Sequence, residues 1–544
     1  MKLFFSIIII FLTFNLSFAQ FCKPLSLPTV ISNNMVFQQN RNVPIWGWTS
    51  SNEEVTIKAS WLENSVTVKA DESGNWDTKL QTDVASNKQY SLSVISKRDT
   101  INITNILFGE VWLASGQSNM QMPLKGWSEQ NVEGSEEAIK KSYNSQIRLF
   151  QVKQNASPVP LDNCKGSWVE SNPEEVASFS AAAYFFAAKL NRDLNIPIGI
   201  IHSSWGGTKA QSWVRKERLL EIDDFNDEIK DLDLNFRTFT EEIVEFEATM
   251  KKWGEFERYD PTINYSTYMK MNEKVQKKWE NLKSSEESYC KSLDDYPKPN
   301  MPEKFPQFMV TTLYNAMIHP LIPFTIKGVI WYQGESNANK PDQYAQLFPL
   351  LINNWRSDWK QGDFPFYYVQ IAPFLYKDDD EGSWYPAALR DVQRQTMNKV
   401  INTGMVVTTD IADTNRIHPP KKREVGERLA LWALAKNYNK DIVYSGPIYK
   451  SMKIKENKIR LFFEYAESGL LCKGESLTYF EIADEDGNYI DAKAEIDGKT
   501  VLVSSPEVEN PKSVRFGWKH TAQPNLFNKA GLPASPFYTK SLSK

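Results

Sequence analysis

Apolar and polar residues alternate with a period of two over the first hundred positions after an apolar N-terminus. Val55-Thr56-Ile57-Lys58-Ala59, Ser65-Val66-Thr67-Val68-Lys69 and Tyr90-Ser91-Leu92-Ser93-Val94 each send every second side chain to one face. That period predicts half-buried strands, and Asp71-Glu72-Ser73-Gly74, just before Trp76, is turn chemistry. A small β-sandwich is expected over residues 20–105. Near Val111 the pattern changes. Apolar runs such as Val111–Ala114, Ile198–Ile201, Gly328–Trp331, Phe366–Gln370 and Met405–Thr409 alternate with helix-like stretches at Ala181–Asn191, Tyr344–Trp355 and about Lys421–Ala435. Buried strands alternating with helices predict an α/β domain with a mostly parallel sheet, over 106–215 and 306–438.

Two further changes of pattern bound that domain. Residues 216–305 are rich in Glu, Lys and Asp, with helical stretches at Glu241–Phe256 and Tyr268–Leu293 closed by Pro297, Pro299 and Pro302. A charged, solvated helical insertion is expected there. From 439 to 544 short alternating strands return, with Asp486-Gly487 and Asp497-Gly498 as hairpin signals, and a second β-domain is expected.

Composition narrows the function classes. The chain has 544 residues, 41% of them apolar and 24% charged, with 63 basic and 67 acidic side chains. Such a chain can build ordinary cores in roughly three or four structural units. The near-balanced charge argues against a nucleic-acid partner. Met1-Lys2, the apolar run Leu3–Leu12 and Ser17-Phe18-Ala19 read as a secretory leader over residues 1–19, cleaved after Ala19. Phe21 before Cys22 argues against lipid attachment there. No further segment is apolar enough to span a membrane, so a periplasmic or secreted protein is expected. The four cysteines are far apart and the four histidines form no cluster with them, so no metal site is expected.

Four segments carry candidate chemistry, each just beyond the carboxyl end of an expected strand, where open α/β sheets place their sites. Gly116-Gln117-Ser118-Asn119-Met120 can present a serine hydroxyl and its amide at a sharp turn. Ser203-Ser204-Trp205-Gly206-Gly207-Thr208 can leave backbone amides free to donate. Trp331–Asn337 holds Gln333, a possible oxyanion donor, and Glu335, a possible acceptor from an imidazole. Asp410–Pro419 holds His418, a natural general base. Each taken alone is equally an ordinary turn or a buried structural polar group. Of the other histidines, His202 stands beside the glycine loop, His319 reads as structural, and His520 lies in the C-terminal β region.

Taken in order, the four segments resemble those of the SGNH hydrolases, the GDSL-like lipase and esterase superfamily. More closely they are similar to the sialate O-acetylesterase family of carbohydrate esterases. The resemblance rests on Gly109–Met120, Trp205–Thr208, Trp331–Glu335 and Ile417-His418-Pro419. Further support comes from Leu313–Met317, Pro365-Phe366 with Val369-Gln370, and Ser445-Gly446-Pro447. It implies a three-layer SGNH α/β domain flanked by β-domains and a serine esterase without metal or cofactor. Ser118 resembles the nucleophile and His418 its base. The amides of Ser118 and of Gly206 or Gly207, with the Gln333 side chain, would form the oxyanion hole. In much of the superfamily an Asp three residues before the histidine orients it. Asn415 stands there in this chain and is expected to hold the ring without lending charge to the imidazolium, so Glu335, Asp413 or a backbone carbonyl is left as the third member, with Glu335 placed first.

The implied substrate is an acetylated carbohydrate. Gln117, Asn119 and Trp205 are expected at the substrate. Arg390 and Arg416, with Arg394, are candidates for a sialate carboxylate, although surface ion pairs are the plainer reading of those arginines. A neutral acetylated xylan or mannan would need only aromatic platforms such as Trp205, Trp331 or Trp384. De-O-acetylation of sialic acids is expected, with an acetylhemicellulose esterase as the alternative. A non-catalytic carbohydrate-binding protein would need no Ser–His pair.

Overall fold

The structure, a computed structural model, describes residues 23–234, 306–376 and 384–540. The leader expected at 1–19, Cys22, and the helices expected at Glu241–Phe256 and Tyr268–Leu293 lie outside the described residues. Of the charged insertion, Lys216–Leu219 and residues 226–234 are helical. Among the described residues no helix is long and apolar enough to cross a membrane.

A seven-stranded sheet carries the molecule's centre. Its strands are β1 (Thr100–Gly116), β2 (Asn144–Gln151), β3 (Trp168–Ser171), β4 (Ile198–Ser204), β5 (Gly328–Tyr332), β6 (Phe366–Val369) and β7 (Thr403–Val406). They lie in the order β7-β6-β5-β1-β4-β2-β3. All neighbours run parallel except β2 and β3. Alternate residues of these strands feed two separate cores, as the two-residue period requires. Trp112, Ala114, Ile330, Tyr332 and Tyr367 join one core with the helices α2 (Ala181–Leu194) and α5 (Lys422–Asn437). Val111, Leu113, Val329, Trp331 and Tyr368 join the other, with α3 (Pro341–Trp359) and α4 (Tyr385–Lys399). Because both faces are covered, these strands read as unbroken apolar runs. Gly426 lets α5 close onto α2, since a Cβ there would come within 2.5 Å of the Ala182 carbonyl oxygen.

The N-terminal strands do not separate cleanly at residue 105. β1 runs for 17 residues. Its first half pairs with Ser86–Ile95 and, through Leu107–Gly109, with Val36–Gln38. Its second half pairs with β4 and β5. The expected boundary therefore falls inside one continuous strand. The C-terminal region matches its pattern. Two four-stranded antiparallel sheets share a core built on Ile459, Leu461, Val501, Val503, Ile482 and Phe516. Gly487 and Gly498, at φ +89° and +63°, make the turns of two of its hairpins.

Candidate active site

β1 is the strand at which the chain order switches. β4 pairs on one side of its carboxyl end and β5 on the other, which leaves a crevice beyond Gly116. Gly116 sits at φ +139°, and a Cβ there would lie 2.1 Å from the Tyr332 carbonyl oxygen. Only glycine allows this approach. Gln117 then donates its amide to Tyr332 O at 3.0 Å, and Trp205 donates its amide to Gly116 O at 3.1 Å. The chain turns directly into a short helix, α1 (Ser118–Gln121), with Gln117 as the extended residue before it. Ser118 is its first residue, so its amide has no intrahelical acceptor.

Each of the other loops meets this turn. Gly206 packs against Ser118, a Cβ there falling 3.2 Å from the Ser118 Cβ, and its amide donates to Gln121 Oε1 at 2.6 Å. Gly207 is exposed at φ +74°. Asn119, fully buried, donates from Nδ2 to Glu335 Oε1 at 2.5 Å and to the Ile417 carbonyl at 2.9 Å, and accepts from Lys422 Nζ. His418 is half-buried under the edge of Trp127, with ring centroids 4.9 Å apart. Its Nδ1 lies 2.6 Å from Gln130 Oε1. An amide oxygen can only accept, so Nδ1 carries the proton and Nε2 is left as the acceptor, the form a general base needs. Burial, with the Lys422 ammonium nearby, pushes His418 down to about 4. The imidazole is therefore neutral at neutral pH. Ser118 Oγ and His418 share no hydrogen bond among the described residues.

Several expected roles are placed differently. Glu335 does not reach His418. Its Oε1 is on Asn119, its Oε2 is buried without a partner, and burial raises its pKa. Asn415 is exposed, its amide bound to the Asp413 carboxylate in the local turn, and it does not touch the ring. Gln333 is not free to meet an oxyanion: Nε2 donates to Asn337 Oδ1 at 2.7 Å and to Thr208 O at 3.3 Å, while Oε1 accepts from Tyr344. Gln117 and Asn119 are buried struts rather than substrate contacts, Gln117 Oε1 accepting from the amides of Gly334 and Ser336. Arg390 is fully buried and donates to the carbonyls of Lys519 and His520, so no ligand can reach it. Arg394 is held on Asp391. Arg416 is exposed and pairs with Asp413 and Asn131. Trp331 is buried against Trp213 and Trp355, whereas Trp205 is half-buried and Trp384 is 44% exposed. His202 is buried between Gln151 and Ser204. His319 is bonded to the Leu161 carbonyl.

Gln130, Trp127 and Lys422 escape the sequence reading. Gln130 and Trp127 lie in a polar turn with no motif of its own. Lys422 follows His418 by four residues at a helix start, where lysine normally means solvent. A cleft of about 380 Å³ opens beside the turn that carries Ser118, with Gln121, Lys125, Trp127, Lys153 and Gln154 among its lining residues.

Comparison with known proteins bears on this geometry. A family model described as carbohydrate esterase, sialic acid-specific acetylesterase, matches residues 296–435, the stretch that holds Glu335, His418 and Lys422. The sialate O-acetylesterase of Mus musculus is 29% identical over 465 residues, 78% of this chain and 76% of that protein. The sialate O-acetylesterase of Rattus norvegicus is 28% identical over 554 residues, 93% of each chain. A carbohydrate acetylesterase from Xanthomonas citri has a similar crystal structure, with TM-score 0.74 and 30% identity, covering 95% of this chain and all of that one (100%).

Proposed function

The chain belongs to the sialate O-acetylesterase family of carbohydrate esterases and is an esterase, and from that premise we propose that it removes O-acetyl groups from sialic acids through an acetyl-Ser118 intermediate with His418 as base. His418 Nε2 takes the Ser118 proton as Oγ attacks the acetyl carbonyl. The oxyanion that forms meets the Ser118 amide, and the exposed Gly207 amide is the second candidate donor. Collapse breaks the ester bond, and His418 returns the proton to the departing sugar oxygen. A water molecule, deprotonated by the same nitrogen, then attacks the acetyl-serine, releasing acetate and restoring Ser118.

The observation that carries this reading is the Gln130 contact. It leaves Nε2 of a neutral imidazole as the acceptor, on the loop tied through Ile417 to the residue beside Ser118. Lys125 and Lys153 in the cleft offer cations to a sialate carboxylate, the part intended for the buried Arg390. The same reading assigns the central sheet with its helices to a three-layer SGNH domain over 106–215 and 306–438. It places a β-domain on either side, 20–105, continuous with the central sheet through β1, and 439–544, and export by the leader at 1–19.

Ser118→Ala tests the nucleophile. Acetate release from an acetyl ester should disappear while the fold, followed by circular dichroism, is kept. Turnover at the wild-type rate would remove the assignment. Acetate release from 9-O-acetylated sialic acid and from acetylated xylan, on one preparation, tests the substrate. Equal or better activity on xylan would replace the sialate reading with the acetylhemicellulose one.

A further inference from the structure

The reaction above leaves Asn119, Glu335 and Lys422 without a part, although all three are buried within the site's walls. An ammonium and a carboxylate taken out of water cost several kcal/mol each unless they are well compensated. Here they meet through one amide. Lys422 Nζ donates to Asn119 Oδ1, and Asn119 Nδ2 donates to Glu335 Oε1 at 2.5 Å and to Ile417 O at 2.9 Å. Both amide protons and the amide oxygen are thereby used. Flipping the group would set its oxygen against a carboxylate and its protons against an ammonium, so one orientation is enforced. Lys422 Nζ also stands 5.2 Å from the centre of the Tyr332 ring, a contact that favours the cation, against burial, which pushes its pKa from 10.5 down to about 7.

The four residues come from four different segments. Asn119 follows the nucleophile, Glu335 follows β5, Ile417 precedes the base, and Lys422 lies in the first turn of α5. We propose that Lys422 and Glu335 are positioning residues that act through Asn119, locking the nucleophile turn against the histidine loop. The inference rests on the Ser118–His418 reading.

The charged groups on the elements packed around His418 are few. Its own loop offers Asp413 and Arg416, which pair with each other at 3.4 Å. The loop holding Gln130 offers Glu129, which is exposed. α5 and the residue before it offer Lys421 and the buried Lys422, and Glu335 stands behind Asn119. Burial is the larger cause that opposes protonation of the imidazole, and among these charges Lys422 adds to it. With a neutral amide at Nδ1 and a cation nearby, the base resists acid.

The test compares kcat/KM for acetate release against pH in the full chain, in Lys422→Met, and in Lys422→Met with Glu335→Gln. The double variant removes both buried charges together and keeps an acceptor for Asn119. It decides the matter if the single variant fails to fold. In either variant kcat should fall about ten- to a hundredfold with KM held within about twofold, and the acid limb should move upward as the cation is removed. A kcat within about twofold of the wild type in both variants, or a loss carried by KM instead, overturns the proposal. Ser118→Ala run alongside keeps the two failures apart. Turnover in that variant removes the nucleophile assignment, whereas an inactive Ser118→Ala with kcat unchanged in the Lys422 variants removes only the positioning role.

Discussion

His418 turns its Nδ1 to the side-chain oxygen of Gln130 at 2.6 Å, so the ring is oriented by a neutral amide and not by an acid. An amide fixes the tautomer but gives no charge to the imidazolium that forms during proton transfer. Gln130→Glu should therefore raise the histidine's pKa by about one to three units through the new anion. The acid limb of kcat/KM would climb from about 4 toward the ordinary histidine range, with activity at pH 7 kept or increased. Gln130→Ala should instead lower kcat about tenfold or more by freeing the ring, with the limb near its original place. Rate–pH profiles of the two variants check this. A Glu variant with an unshifted limb would show that Gln130 does not face the working base.

Acid should weaken the fold through His202. It is 2% exposed, with both ring nitrogens in hydrogen bonds to Gln151 and Ser204, and burial lowers its pKa from 6.5 to about 3. The unfolded chain binds this proton near 6.5 and the folded chain only near 3, so the unfolded state carries more protons in between. The stabilising contribution is whole above about 6.5 and declines as pH falls toward 3. The slope is about 1.4 kcal/mol per pH unit. Urea midpoints from pH 7 to 4 should fall less steeply in His202→Asn than in the wild type. Parallel curves would exclude a buried neutral histidine.

Gly116→Ala should be among the most damaging single-methyl changes. Its φ of +139° suits glycine, and the new Cβ would press on the Tyr332 carbonyl at 2.1 Å, backbone against backbone. We expect a loss of about 3 kcal/mol or more, together with esterase activity, because β1 and β5 must part just where Ser118 is held. Gly487→Ala, at φ +89° with nothing within 4 Å, should cost about 1 kcal/mol and leave activity alone. Thermal midpoints and acetate release of the two variants provide the comparison.

The sheet strands and the loops after them were legible because burial on both faces writes itself as unbroken apolar runs such as Val111–Ala114 and Gly328–Trp331. Ser118 and His418 stood out by the same logic, each just past such a run. Partners contributed by distant segments were not legible. Glu335 sits in the expected loop, yet whether a carboxylate meets a ring or an amide depends on Asn119 and Lys422, which local pattern does not connect. Arg390 looked solvent-facing in the charged stretch Leu389–Arg394. It is buried because the C-terminal region lays the Lys519 and His520 carbonyls over α4. Gln333 looked like a donor and is one, but Asn337 and Thr208 already use its protons.

The 17-residue β1 also sets an order of assembly during synthesis. Its first half can pair at once with Ser86–Ile95, which leaves the ribosome just ahead of it. Its second half must wait for β4, which begins at Ile198, and then for β5, which begins at Gly328. Until then an apolar strand end stands in the nascent chain with both edges open, the kind of surface that recruits chaperones or aggregates. The seat of Ser118 is thus started early and closed late. Slowing synthesis between those two points, or withdrawing chaperones, should lower the yield of folded chain.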